Sequence, residues 1–338
     1  MIVVMRPGAE DQLIERVIAR LIAAGCDIHR STGAERTILG AIGVTAEMDL
    51  SDFEVLPGVE RVLRVSTPYK LVSRRFRPDG SRIELGPGVV IGGEEVVVMA
   101  GPGQVESEEQ IHRTAREVAR AGAKVLRASA FTPRSRPYAF QGTGEQGLAW
   151  LRDAAREFGL LVVSEVMAPE NIATVAGYAD VLLVGGRHMQ NHGLLREVGG
   201  AGKPVILKRH VGATIEDWLL AAEYVAVAGN DRIILCERGI RTFETATRYT
   251  MDLAAIAVLH ERSHLPVIAD PSYGTGLRDK IAPMARAAVA AGADGLLIEV
   301  HCDADEARSD AAQTLYPEEF LKLMDQLRII VPALGRSV

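Results

Sequence analysis

The chain has 338 residues, 48% hydrophobic and 24% charged, enough for one large folded domain with a smaller one and too apolar for a disordered protein. A net charge of −6 without a long basic run argues against nucleic acid as a partner, and no apolar run approaches the ~20 residues that cross a bilayer. Three scattered cysteines (Cys26, Cys236, Cys302) exclude a disulfide framework, and the start, Met1-Ile2-Val3-Val4-Met5, lacks the basic and apolar regions of an export signal, so a cytoplasmic protein is expected.

A first strand is expected at Ile2–Met5, then a turn at Pro7-Gly8. A helix follows, with Leu13, Ile14, Val17, Ile18, Leu21 and Ile22 at helical spacing until Gly25 stops it. Strands at residues 26–29 and 37–42, a helix near 46–56 and a strand at 59–65 complete the order βαββαβ, the ferredoxin-like arrangement. This unit, residues 1–70, holds no catalytic constellation, which points to regulation or assembly. Residues 71–95 read as a connector, basic at first (Arg74, Arg75, Arg77, Arg82) and then glycine-rich. It ends in a short hairpin around Gly86-Pro87-Gly88 that is expected at the bottom of the following domain.

From 96 to 338 one pattern recurs. Apolar runs fall at residues 96–100, 124–127, 160–164, 181–184, 204–207, 233–236, 266–269 and 295–298, with helical patterns between them. The capping spacings Ser107…Gln110 and Thr214…Asp217 open two of those helices. Apolar strands without alternation, separated by amphipathic helices, form parallel βαβ units. Eight such units match a (β/α)8 barrel; an open doubly wound sheet would be unusually wide.

A barrel carries its chemistry at the carboxyl ends of its strands. Those ends read Gly101-Pro102-Gly103, Arg127, Glu165, Gly185-Gly186-Arg187, Lys208-Arg209, Glu237-Arg238-Gly239, Asp270-Pro271-Ser272-Tyr273 and Glu299-Val300-His301. A single cation at a strand end pairs with a neighbouring carboxylate in most proteins. Four strands that each deliver a cation (Arg127, Arg187, Lys208, Arg238) predict a site for phosphate or another polyanion, because guanidinium forks match phosphate geometry and glycines let backbone N–H groups approach. Arg134 and Ser135, in the loop after the second strand, suggest a second phosphate pocket and hence two phosphorylated substrates.

Ten motifs in order extend this reading: Ala100-Gly101-Pro102, Val105-Glu106-Ser107, Val125-Leu126-Arg127, Pro133-Arg134-Ser135, Phe140-Gln141-Gly142, Leu207-Lys208-Arg209, Leu235-Cys236-Glu237-Arg238-Gly239, Asp270-Pro271-Ser272, Glu299-Val300-His301 and Ser309-Asp310. Together they resemble 3-deoxy-D-arabino-heptulosonate 7-phosphate (DAHP) synthase, in the form that carries a ferredoxin-like domain before the barrel. The resemblance implies an aldol-type condensation of phosphoenolpyruvate with erythrose 4-phosphate in the shikimate pathway. Arg127, Arg187, Lys208 and Arg238 would hold phosphoenolpyruvate, with Glu165 beside it; Arg134 and Ser135 would take the phosphate of the aldose. His29 and Ser31 resemble polar residues that receive an aromatic amino acid as feedback effector, and a homo-oligomer is expected.

The resemblance also implies a divalent metal held by Cys, His, Glu and Asp. Glu299 and Asp310 stand at two of these positions, whereas Gly103 and Tyr273 replace the cysteine and histidine, and Thr132 replaces an active-site lysine. Two carboxylates alone make a weak site for a transition metal, since imidazole and thiolate supply most of the affinity. His188, His192, His210 and Cys302 are candidates for replacing what is missing, as general bases or as a rebuilt metal shell, and Tyr273 itself joins the candidate catalytic groups. The expectation is a DAHP-synthase-like transferase, either metal-independent or with a rebuilt metal site. The alternatives are a homologue turned to another phosphorylated or enolpyruvyl substrate, and a non-catalytic regulatory paralogue.

Overall fold

The structure, a computed structural model, describes residues 1–33, 37–44, 48–63, 68–132, 138 and 140–338. The chain divides into two compact units, residues 1–80 with 262–264, and residues 81–261 with 265–338.

In the first unit, strands β1 (Ile2–Met5), β2 (Asp27–Thr32), β3 (Thr37–Ile42) and β4 (Val59–Leu63) form an antiparallel sheet in the order β2-β3-β1-β4. β1 is central and wholly buried, which explains its uninterrupted Ile-Val-Val-Met. The helix Asp11–Ala23 buries Ile14, Val17 and Leu21, and they join Val3, Met5 and Leu39 in one core. β2 starts one residue later than expected because the Cys26 N–H is spent closing that helix on Leu21 O. It then stays in register with β3 as far as Thr32 opposite Thr37. The second helix is a single turn, Ser51–Glu54. The Asp49 carboxylate accepts the Ser51 N–H at 3.0 Å, a local bond that competes with helix at one end, and Pro57 disfavours it at the other.

The second unit begins with the hairpin β5 (Ile83–Gly86) and β6 (Val89–Ile91), turning through Gly88 at φ +75°. Eight parallel strands follow: β7 (Val97–Gly101), β8 (Val125–Arg127), β9 (Leu161–Val166), β10 (Val181–Val184), β11 (Val205–Lys208), β12 (Ile233–Glu237), β13 (Val267–Ala269) and β14 (Gly295–Glu299). β14 pairs with β7 from Gly295↔Val97 to Glu299↔Gly101, so the barrel closes. Alternate strand residues point inward. Val97, Met99, Val125, Val163, Val181, Leu183, Ile206, Ile234, Ile268 and Leu297 fill the interior, and Ile83, Leu85, Val89 and Ile91 of the hairpin cap the same core. No helix among the described residues is long and apolar enough to cross a membrane.

Both capping spacings open helices, in different ways. Ser107 Oγ accepts the Gln110 N–H at 3.1 Å, but the Gln110 side chain returns to the Glu106 N–H. At the helix Ile215–Val227 the box is complete: Thr214 Oγ1 accepts the Asp217 N–H at 3.1 Å, and the Asp217 carboxylate accepts the Thr214 N–H at 2.9 Å. The Thr214 hydroxyl and N–H hold this carboxyl below its usual value. Its contribution is therefore complete above the unfolded pKa and fades as pH falls through the folded one. Thr214→Ala is expected to cost about 1 kcal/mol in urea denaturation and to leave catalysis untouched.

Candidate active site

The inward parity that fills the barrel with valine and isoleucine continues upward and changes chemistry. One step above the apolar layers it gives Gly101, Arg127, Glu165, Gly185, Lys208, Arg238, Asp270 and Glu299. The outward residues of the same motifs do different work. Arg209 pairs with Glu237 at 3.0 Å and with Asp252 at 2.8 Å beside the buried Trp218. Lys208 and Arg209 are adjacent in sequence and sit on opposite faces of the barrel wall.

The inward set opens into a cavity of about 460 Å³, lined by Arg127, Arg187, Lys208, Arg238, Glu165, His210, Tyr273, Asp310, Gly103 and Thr132. The four predicted cations therefore meet in one place. Arg127 is 6% exposed and donates to Glu299 Oε1 at 2.7 Å. Lys208 is 5% exposed and donates to Asp270 Oδ2 at 2.6 Å. Asp270 also caps the short helix Pro271–Thr275 by accepting the Tyr273 N–H on Oδ1 at 2.9 Å, so one carboxylate positions two residues of the site. Arg238 differs. Its Nε is buried and unpartnered, and among the described residues its contacts are with rings, 4.7 Å from the Tyr249 centroid and 5.1 Å from that of Tyr273. A cation without a counter-ion, beside others, is a place that awaits an anion.

Glu165 lies within β9, in register with Leu183, and not beyond the strand's end as read from sequence. Burial raises its carboxyl above the usual value, and Lys208, His188, Arg127 and Arg187 pull it back. Its Oε1 lies only 2.1 Å from where a Cβ on Gly185 would stand. The carboxylate is the free end of a flexible side chain, so Gly185→Ala is expected to displace it with little loss of stability. A displacement of about 1 Å can cost 10²-fold in rate. Turnover should therefore fall about 100-fold while the melting temperature holds.

The other sequence candidates are distributed unevenly. His210 lines the cavity, and its Nδ1 accepts the Gly212 N–H at 3.2 Å, so Nε2 carries the ring proton in the neutral form. His188 is near enough to Glu165 to act on its charge, and its Nδ1 is buried and unpartnered. His192 is not at the cavity: it stacks on Tyr224 with ring centroids 4.2 Å apart. Cys302 faces Gln110 O and Asp303, also outside the lining. The rebuilt His and Cys metal shell is thus corrected, because two of its members lie elsewhere. Thr132 is buried, with Oγ1 unpartnered. Arg134 and Ser135 lie outside the described residues. In the first unit, His29 and Ser31 share a face of β2, and Ser31 Oγ accepts from Arg77 Nη2 at 2.9 Å.

Sequence reading missed Arg248, Tyr249, Arg241 and Gln313. The first three lie in the loop between β12 and the helix Leu253–Arg262, past the strand end where the motif was read. Arg248 Nη1 donates to Asp310 Oδ1 at 3.2 Å and to Gln313 Oε1 at 2.5 Å. Gln313 Nε2 donates to Glu299 Oε2 at 2.8 Å, and Tyr273 Oη donates to Asp310 Oδ2 at 3.3 Å. These bonds hold Asp310 in a left-handed backbone, φ +56°, the one positive φ among the described non-glycine residues.

That circuit tests the expected metal. Gly103 is where the resemblance places it: a Cβ there would stand 3.1 Å from Glu299 Oε1 and 3.2 Å from Ser309 Oγ. Glu299 is committed to Arg127 and Gln313, and Asp310 to Arg248 and Tyr273. Thiolate and imidazole are missing, and no group of three or more His, Cys, Asp or Glu among the described residues is arranged to hold an ion. The donor set does not fit a divalent transition metal. Burial, then Glu299 and Asp310, keeps the Tyr273 phenol well above its ordinary pKa, so it is a neutral donor.

Residues 74–332 match the model of the DAHP synthetase I family, and residues 1–67 match that of the DAHP synthase ferredoxin-like domain. The chain belongs to the DAHP synthetase I family. It is 45% identical, over the full length of both chains, to the phospho-2-dehydro-3-deoxyheptonate aldolase of Thermotoga maritima. It is 31% identical over 256 residues to a 2-dehydro-3-deoxyphosphooctonate aldolase of Acidithiobacillus ferrooxidans, covering 69% of this chain and 90% of that one. The crystal structure of the Thermotoga DAHP synthase superposes with a TM-score of 0.80, covering 100% of this chain and 98% of the other. A truncated form of the Thermotoga enzyme gives 0.75 at 44% identity, covering 79% of this chain and 98% of the other. As a member of this family the chain is a closed parallel barrel preceded by a ferredoxin-like domain, as the resemblance implied.

Proposed function

We propose that the protein condenses phosphoenolpyruvate with erythrose 4-phosphate to form DAHP and inorganic phosphate, at the entrance to aromatic biosynthesis. The observation that carries this reading is the meeting of Arg127, Arg187, Lys208 and Arg238 in one cavity, in a chain similar over its whole length to a DAHP synthase. In this reading those four cations hold phosphoenolpyruvate. Arg238, which lacks a protein counter-ion among the described residues, takes the phosphate. Glu165 lies beside the enol, its charge moderated by Lys208 and His188. His210 stands at the cavity wall, and Arg134 with Ser135 takes the phosphate of the aldose.

The same reading gives the first unit a regulatory role, with an aromatic amino acid as effector at His29 and Ser31, and makes the enzyme a cytoplasmic homo-oligomer. The match of residues 1–67 to the DAHP synthase ferredoxin-like domain supports the regulatory part, and three free thiols support a reducing compartment. Phosphate release from phosphoenolpyruvate is expected only when erythrose 4-phosphate is also present, with DAHP found by mass spectrometry. No release with both substrates, with or without added Mn²⁺, would overturn the assignment.

A further inference from the structure

Where this family's motif provides a thiolate and an imidazole, the chain has Gly103 and Tyr273, and both remaining carboxylates are already engaged by donors of the protein itself. The charge that an ion would neutralise is met from within: Arg127 lies on Glu299 and Arg248 on Asp310. What this circuit still lacks is an electrophile for the reacting carbonyl, since Thr132 has also replaced the lysine. One group in the cavity is placed to supply it.

We propose that Tyr273 takes the part of the missing ion, its phenol donating a hydrogen bond to the aldehyde carbonyl oxygen while the enol carbon attacks, so that the reaction needs no divalent metal. This rests on the condensation proposed above. Three observations support it. Tyr273 lines the cavity, and its bond to Asp310 at 3.3 Å is long for an O–H···O contact, so an approaching oxygen can capture the donor. Its ring is held among Lys208, Arg238 and Arg248, with the cationic groups 4.6, 5.1 and 5.9 Å from the centroid; charge developing on a nearby oxygen is stabilised by all three. Asp270 anchors its backbone and Asp310 its hydroxyl, which fixes the direction of the donor before substrate arrives.

In the step itself, the enol π pair forms the new C–C bond to the aldehyde carbon, and the carbonyl π pair moves onto oxygen. Water adds at the C2 carbon of the former enol, and C–O cleavage then gives the C2 ketone, the phosphate leaving with the proton of the added hydroxyl. The proton released by that water ends on the new hydroxyl, which Tyr273 has held by its hydrogen bond.

The full-length protein tests this in two ways. Wild type titrated with Mn²⁺ and followed by electron paramagnetic resonance is expected to show no stoichiometric site, and turnover is expected to be unchanged by EDTA. Tyr273→Phe, which removes one oxygen and keeps the ring, is expected to lower kcat about 100-fold or more, the usual cost of one such donor. The KM for phosphoenolpyruvate and the melting temperature should hold, and Mn²⁺ should not rescue. One tightly bound Mn²⁺ per wild-type chain would overturn the proposal whether or not turnover is seen, and so would full kcat in the phenylalanine variant. Absence of turnover in the wild type, by contrast, would fall on the condensation reading.

Discussion

Arg238→Ala is expected to weaken phosphoenolpyruvate binding about 30- to 150-fold while leaving the ligand-free protein as stable as wild type or more so. Losing one partner of an enclosed charge pair costs about 2–5 kcal/mol, and the lower part of that range applies because Arg238 is only half-buried. The stability expectation follows from its surroundings. Among the described residues it packs on the rings of Tyr249 and Tyr273 and pairs with no carboxylate that truncation would strand. It also relieves repulsion from Lys208 and Arg248 around the same ring. Calorimetric titration with phosphoenolpyruvate, paired with urea denaturation without ligand, reads both effects. Unchanged affinity, or a variant clearly less stable than wild type, would show that Arg238 is a structural cation.

Arg127→Met should behave in the opposite way, because Arg127 is bound to a carboxylate of the protein itself. Its removal leaves Glu299, 1% exposed, with the Gln313 amide as its side-chain donor among the described residues, and stranding a buried charge costs about 3–5 kcal/mol. Burial already raises the Glu299 carboxyl above its usual value, against the pull of Arg127. Without Arg127 it rises further. A carboxyl raised in the folded state penalises folding as pH climbs from the unfolded pKa to the folded one, so the deficit of the variant should shrink when denaturation is repeated at acid pH. Adding Glu299→Gln should recover most of the loss at neutral pH, since the amide carries no charge to strand. A deficit independent of pH and of Glu299 would place its cause in packing instead.

The barrel was legible from residues alone because its strands are apolar on both faces and end in chemistry. Arg127, Lys208 and Arg238 could be assigned to one mouth without coordinates, since each follows inward residues at even spacing (Val125, Ile206, Ile234 and Cys236). What the residues could not convey was the course of the long loops. Arg248 is ten positions beyond Arg238 and reaches Asp310 across the cavity, a contact that depends on the path of the intervening chain. His192 and Cys302 show the converse error. Each is near a strand end in sequence, yet one stacks on Tyr224 and the other lies against Gln110 O, because a helix and a turn direct them away. The single-turn helix Ser51–Glu54 fell short for a local reason, an Asp49 side chain competing for the first N–H.

The hairpin β5–β6 sets a limit on how this chain can be cut. Its Ile83, Leu85, Val89 and Ile91 are floorboards of the barrel interior, continuous with Val97 and Met99. A shortened chain that lacks the N-terminal unit must start ahead of Ser81; one that starts at the first barrel strand would leave the lower end of the interior wet and sticky.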